Sequence, residues 1–417
     1  MLFAAGNPAE GLEAFRKELP LRRELAASKP DDIDFKTSLA SCCLNIGGAL
    51  PLGKYEERME ATRDALVIYQ KLVEDYPAVD GYKSALAAIQ INMAVMLTKQ
   101  GKLAEALEAF RTASAVYQKL VDDNPTLPEY QFAQAVIVRN TGNMLKHMGK
   151  PAEGLELFRK ALAIGQKLVD ANPANTRFQD IQAKTHNAIG VVLLAMGKSA
   201  EALDPLQKAL TIAQKLVDAN PASSACKNSL SACHNNIGLA LGRQKRFAEA
   251  FTALDAGLAI RQKLAEADPT NTDYSELVAY SYAYRGAVRV RAGQPAEAAA
   301  DLRQALEQWA KVPNLDAEAQ FNRSRTLALL AGLGGLAGDA KSGVTKEEAK
   351  TFADQSVAAL AAVVQLGWSQ PSELRESDFD ALRGRADFQK LAAEVEAKAE
   401  KPAVTVPTPG ENKGGPP

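Results

Sequence analysis

The chain has 417 residues, 47% hydrophobic and 24% charged, a composition that supports a buried apolar core in water. Its 49 basic and 50 acidic side chains leave a formal net charge of −1, so no global field favours nucleic acid or an anionic membrane, and 6% aromatics give base stacking no compositional basis. No apolar run approaches the roughly 20 residues that span a bilayer, the opening "MLFAAGNPAEG" lacks the charge and apolar pattern of a signal peptide, and four cysteines make no disulfide framework; the cytoplasm is the expected compartment.

In chain order, the sequence repeats itself every 48 residues. "GKLAEALEAFRTASAVYQKLVDDNP" (101–125) returns as "GKPAEGLELFRKALAIGQKLVDANP" (149–173) and "GKSAEALDPLQKALTIAQKLVDANP" (197–221). The register extends back to Gly53 and forward to Lys245 and Gly293; Pro77, Pro125, Pro173, Pro221 and Pro269 keep it, and Pro30 is one residue out of step. Internal repetition at such a period predicts a stacked array rather than separate globular domains.

Each repeat predicts two helices. The helix after the glycine carries Ala106, Leu107, Phe110, Ala113, Val116, Tyr117 and Leu120, an apolar stripe at helical spacing. It stops before Asn-Pro, because proline cannot continue a helix and biases the residue before it. The other helix follows the proline, for example Asn175 to Met196, and stops at a glycine suited to a left-handed cap. The opening "MLFAAG" matches only the end of such a helix, so the chain is expected to begin in mid-repeat with another helix or domain upstream. At the other end Phe388, Leu391 and Val395 form one stripe, with Lys390, Glu394 and Lys398 toward water, the pattern of a capping helix. The Pro/Gly-rich 401–417 is expected to be disordered.

These residues resemble the tetratricopeptide repeat (TPR). Ile189-Gly190-x-x-Leu193 and Ile237-Gly238-x-x-Leu241 fill its first half; Ala106-x-x-x-Phe110, Gly154-x-x-x-Phe158 and Ala202-x-x-x-Leu206 fill its second. The period exceeds the usual length of about 34 residues by about seven per helix, close to two turns, so the buried stripe stays in phase. Such long repeats resemble the kinesin-light-chain type and the arrays that follow bacterial serine/threonine kinase domains, where a segment like 378–396 often closes the array. The resemblance implies an all-α fold: a TPR α-solenoid, a right-handed superhelix of antiparallel helix pairs with a concave groove. The expected organisation is an array over 1–310, a divergent repeat with capping helices over 311–400, and the tail.

Catalytic chemistry is not legible. There is no kinase Gly-rich loop, H-R-D or D-F-G, "GLGGLAG" (332–338) follows no strand, and no histidine has a metal-ligand partner at binding spacing, so no catalytic, cofactor or metal residue is expected. "SACHNNIG" (231–238) joins a thiol, an imidazole and two amides, but Leu230, His234, Ile237 and Leu241 share a helical stripe, which makes His234 a packing residue.

The asparagines recur instead. Asn236 shares its repeat position with Asn140, Asn92 and Asn45, and Asn235 shares its own with Asn187. Asparagine is a weak helix former, so propensity does not explain the recurrence, and its amide both donates to and accepts from a peptide backbone. The resemblance implies that first-helix residues line the groove. Asn45, Asn92, Arg139, Asn140, Asn143, Lys184, Asn187, Asn235, Asn236 and Arg243 are therefore the expected peptide-binding positions, with Asn235 on the open face. The basic members suggest an acidic segment as partner. The expected function is a non-catalytic scaffold that binds a protein or peptide in the groove; the alternative is the regulatory part of a kinase or other signalling enzyme. Self-association through an uncapped first helix is a further expectation.

Overall fold

The computed structural model describes residues 8–50, 54–336, 339–366, 368 and 370–400. The expected tail (401–417), the "MLFAAG" start and Gly53 lie outside the described residues. All regular structure within them is helical. Seven two-helix units come first: α1 (Pro8–Ser28) and α2 (Ile33–Ala49), α3 (Tyr55–Asp75) and α4 (Asp80–Lys99), α5 (Leu103–Asp123) and α6 (Pro128–His147), α7 (Pro151–Ala171) and α8 (Thr176–Ala195), α9 (Ser199–Ala219) and α10 (Ser224–Arg243), α11 (Phe247–Ala267) and α12 (Thr272–Arg291), α13 (Pro295–Ala310) and α14 (Ala317–Leu336). The chain then forms α15 (Asp339–Ser342), α16 (Lys346–Gln365), α17 (Pro371–Leu374), a 3-10 turn (Ser377–Leu382) and α18 (Ala386–Glu400).

The helices form where the repeat predicts them, for identifiable reasons. On α5, Ala106, Phe110, Ala113, Tyr117 and Leu120 are buried, the core of the predicted stripe. Asn175, Ser223 and Asn271, one period apart, cap α8, α10 and α12 by accepting a backbone N–H with their side chains. The glycine turns take positive φ at Gly101, Gly149, Gly197 and Gly293 (71–76°), and Lys245 holds the same place at φ 60°. A side chain in that left-handed region costs about 1 kcal/mol relative to glycine.

Pairing depends on close approach. A Cβ added to Gly190 would sit 2.4 Å from Leu206, and one on Gly238 2.5 Å from Leu254. Each small residue therefore receives the large one of the following helix, and the pair buries its apolar face only by stacking on the next. The stacked cores run continuously through Leu155, Phe158, Val192, Leu206, Ile237 and Leu254.

The stack curves. From α4 to α14 each even-numbered helix also touches the next even-numbered one, which puts these helices on the concave side. No helix of the described residues is long and apolar enough to cross a membrane.

The C-terminal region folds back onto this curve. Phe321, Leu360, Trp368, Leu374, Phe379, Leu382, Phe388 and Val395 make one buried cluster, while Lys390 and Glu394 stay exposed. Where α16 ends, its backbone meets the turn between α4 and α5: a Cβ on Gly101 would lie 1.7 Å from the Leu366 carbonyl oxygen. Only glycine permits that contact.

Candidate functional site

Curvature and fold-back together enclose a cavity of about 420 Å3. One side is built from the inner helices, with Asn140, Asn143 and Lys146 on α6, Val191 and Leu194 on α8, Asn236, Leu239 and Arg243 on α10, and Tyr284 on α12. The facing side is the start of α14, with Asp316, Glu318, Phe321 and Arg325, and the segment carrying Trp368, Gln370, Glu373 and Glu376. Its volume falls in the range of about 300–1,000 Å3 typical of ligand pockets, enough for a few peptide residues.

The two sides are tied by charge. Arg243 donates to Glu376 Oε1 at 2.8 Å and also reaches the Leu194 carbonyl. Asp378, nearly inaccessible, receives Arg291 at 2.8 Å and lies 3.7 Å from Arg325 Nε. The Arg325 guanidinium also stands 5.8 Å above the Tyr284 ring, and Phe321 stacks on Trp368 with centroids 4.5 Å apart. Burial pushes the Glu373 carboxyl above its ordinary value, against the pull of Arg325 and Lys146.

Four expected groove residues converge here: Asn140, Asn143, Asn236 and Arg243 all face the cavity. Asn236 donates to Asn187 Oδ1 at 2.9 Å, which places Asn187 beside it, and Arg139 donates to Asn140 Oδ1 at 3.0 Å. Burial lowers the Arg139 pKa. Asn45 and Asn92 are exposed on α2 and α4, outside the residues that line the cavity. Lys184 is exposed and pairs with Asp180 at 2.7 Å.

Asn235 departs from its expected position. It is 1% exposed and donates to Ser281 Oγ at 2.8 Å. Its Oδ1 rests against Gly257, where an added Cβ would approach to 2.4 Å. The expectation treated the face opposite the Leu230–His234–Ile237–Leu241 stripe as open, but Gly257 of α11 and Ser281 of α12 close it. Buried Arg261 completes the polar cluster, donating to Ser231 Oγ at 2.7 Å and Ser281 Oγ at 3.1 Å.

The basis for an acidic partner also changes. Arg243 and Arg291 are paired with Glu376 and Asp378 of the chain itself. Glu373, Glu376 and the α14 residues were missed because 311–400 keeps no repeat register from which a facing position could be read. The concentration of acids in "SELRESDFD" (372–380) was the available signal.

The Cys-His stretch is interior. Cys233 is 2% exposed with its thiol pushed up to about 12, and burial lowers the His234 imidazole. Among the described residues no group of three His, Cys, Asp or Glu is placed to hold a metal ion.

The helix pairs, their glycine contacts and their concave inner layer define a TPR solenoid. Family models described as tetratricopeptide repeat match residues 86–126, 133–215 and 230–270, so these stretches of the chain are of the tetratricopeptide-repeat type. No curated protein sequence matches it. Among solved structures it is similar to the apo form of RapI, at 13% identity and a TM-score of 0.52, over 95% of this chain and 99% of that one. It is also similar to the Rap conjugation gene regulator of plasmid pLS20 in complex with the Phr* peptide, at 15% identity and 0.50, over 79% and 78%. BtubC (BKLC) from P. vanneervenii aligns at 19% identity and 0.46, over 62% and 91%. The Rap likenesses show the fold; the kinase-linked reading rests on the sequence resemblance alone.

Proposed function

We propose that this protein is a non-catalytic interaction module that holds a short peptide, or the end of a protein segment, in the cavity between its inner helices and its C-terminal fold-back. The observation that carries the reading is the convergence of three asparagine amides, Asn140, Asn143 and Asn236, on one wall of a ligand-sized cavity. Amides serve both the donors and the acceptors of an extended backbone, and the apolar Val191, Leu194 and Leu239 between them exclude water. The peptide-bound state of the Rap regulator, a protein of the same fold, supports the reading. The fold-back across the curve favours a short occupant over a long segment running along the groove.

The test is a randomised hexapeptide array probed with the full chain, the triple variant Asn140→Ala/Asn143→Ala/Asn236→Ala, and chains carrying a photo-crosslinking residue at Leu239 or at Val67, which is exposed on α3. Peptides captured by the wild type should be lost from the triple variant and crosslink at 239 but not 67. Capture unchanged in the triple variant, or crosslinking at 67 alone, places binding elsewhere and removes the proposal.

A further inference from the structure

Resting on the peptide reading above, we infer that the occupant is cationic: it presents a lysine or arginine side chain to Glu373, rather than an acidic group to the basic residues of the inner helices.

The argument starts from which charges are already matched. Arg243 is held by Glu376 and by the Leu194 carbonyl, and Arg325 and Arg291 share Asp378. An acidic ligand seeking these cations has to displace carboxylates on a segment locked by Leu374, Phe379 and Leu382, which are 3%, 0% and 0% exposed. That displacement opens the C-terminal core, so internal acids hold Arg243, Arg291 and Arg325.

Glu373 is in the opposite condition. It faces the cavity, and among the described residues no cation lies within ion-pairing distance of its carboxylate. Its hydrogen-bond partner is the Gln370 amide, oriented so that its nitrogen meets Glu373 Oε1 at 3.0 Å while its oxygen accepts from Trp368 Nε1 at 3.2 Å. Around the cavity, four carboxylates (Asp316, Glu318, Glu373 and Glu376) face three cations (Lys146, Arg243 and Arg325). The Glu373 carboxyl is raised by burial; Arg325 and Lys146 oppose that rise more strongly than Glu376 and Glu318 add to it.

The surroundings fit a long cationic side chain. The stacked Phe321–Trp368 pair lines the same wall and offers an apolar surface for the methylene stem of lysine or arginine. The amides of α6 and α10 stand across the cavity, where they would meet the backbone of the same segment. One ligand residue thus uses both walls.

The randomised hexapeptide array decides it when sorted by residue charge and repeated with Glu373→Gln and with Glu373→Asp, which restores the charge. Peptides bound by the wild type should be enriched in lysine or arginine at one position, and replacing that residue by norleucine should weaken binding about tenfold, as for a charge-assisted hydrogen bond. Glu373→Gln should abolish the difference and Glu373→Asp should keep part of it, with circular dichroism unchanged in both. Enrichment in aspartate or glutamate, or equal binding of lysine and norleucine peptides, overturns the inference and leaves the peptide reading standing. Retention of no peptide by the wild type overturns the peptide reading itself.

Discussion

Arg243 on α10 donates to Glu376 at 2.8 Å across 133 residues of sequence, joining the floor of the cavity to its far wall. The two side chains are 25% and 28% exposed, so the pair is screened less than a surface ion pair without carrying the full desolvation cost of a buried one. A double-mutant cycle with Arg243→Met and Glu376→Gln should return a coupling of about 1–2 kcal/mol by urea denaturation. Hydrogen exchange over 371–382 should rise in either single variant. A coupling near zero would mean that the apolar cluster alone holds the fold-back.

Gly101 and Gly197 separate backbone strain from closure of the curve. Both have nearly the same positive φ, 75° and 76°, but only Gly101 meets the Leu366 carbonyl; nothing lies within 4 Å of a Cβ at Gly197. Alanine at either position should cost about 1 kcal/mol for the left-handed backbone. Gly101→Ala should cost more, by about 1–3 kcal/mol of overpacking, and should loosen the end of α16. Equal melting temperatures for the two variants would show that the C-terminal region does not press on the α4–α5 turn.

Asn235 and Gly257 form a tight contact inside the stack, and their coupling tests whether Asn235 is a packing residue. Gly257→Ala should destabilise by about 1–3 kcal/mol, because its Cβ meets Asn235 Oδ1 and the Ser231 carbonyl oxygen. Asn235→Ala in the same chain should recover part of that loss, while Asn235→Ala alone should leave peptide binding unchanged. Strict additivity of the two stabilities, read from denaturation midpoints, would remove the contact from the account.

Acid should weaken the array through His186 and His234. Burial holds both imidazoles below their ordinary value, and for His186 Lys208 acts in the same direction. A folded-state pKa below the unfolded one means that the unfolded chain takes up the proton first. The stability is therefore present above about pH 6.5 and is lost as pH falls through the folded value. The variant His186→Gln/His234→Gln should flatten the decline in melting temperature between about pH 7 and 5. An unchanged slope would assign the acid loss to other groups.

The fold was largely legible because a 48-residue repeat restates the same local constraints many times. The glycine that must take positive φ, the small residue that must receive Phe158 or Leu206, and the proline that must end a helix are nearest-neighbour requirements. Helical spacing projects them onto one face with no knowledge of the rest of the chain. The same spacing brought Asn140, Asn143, Asn236 and Arg243 to a common wall.

What the sequence left open are relationships the period does not encode. The burial of Asn235 depends on Gly257 of α11 and Ser281 of α12 meeting over it. The far wall depends on where the chain goes once the register is lost. Only the folded structure brings Glu376 to Arg243, Asp378 to Arg291 and Leu366 to Gly101. Local side-chain pattern specifies each helix pair; which charges are paired follows from contacts that form only when the stack closes on its own C-terminal end.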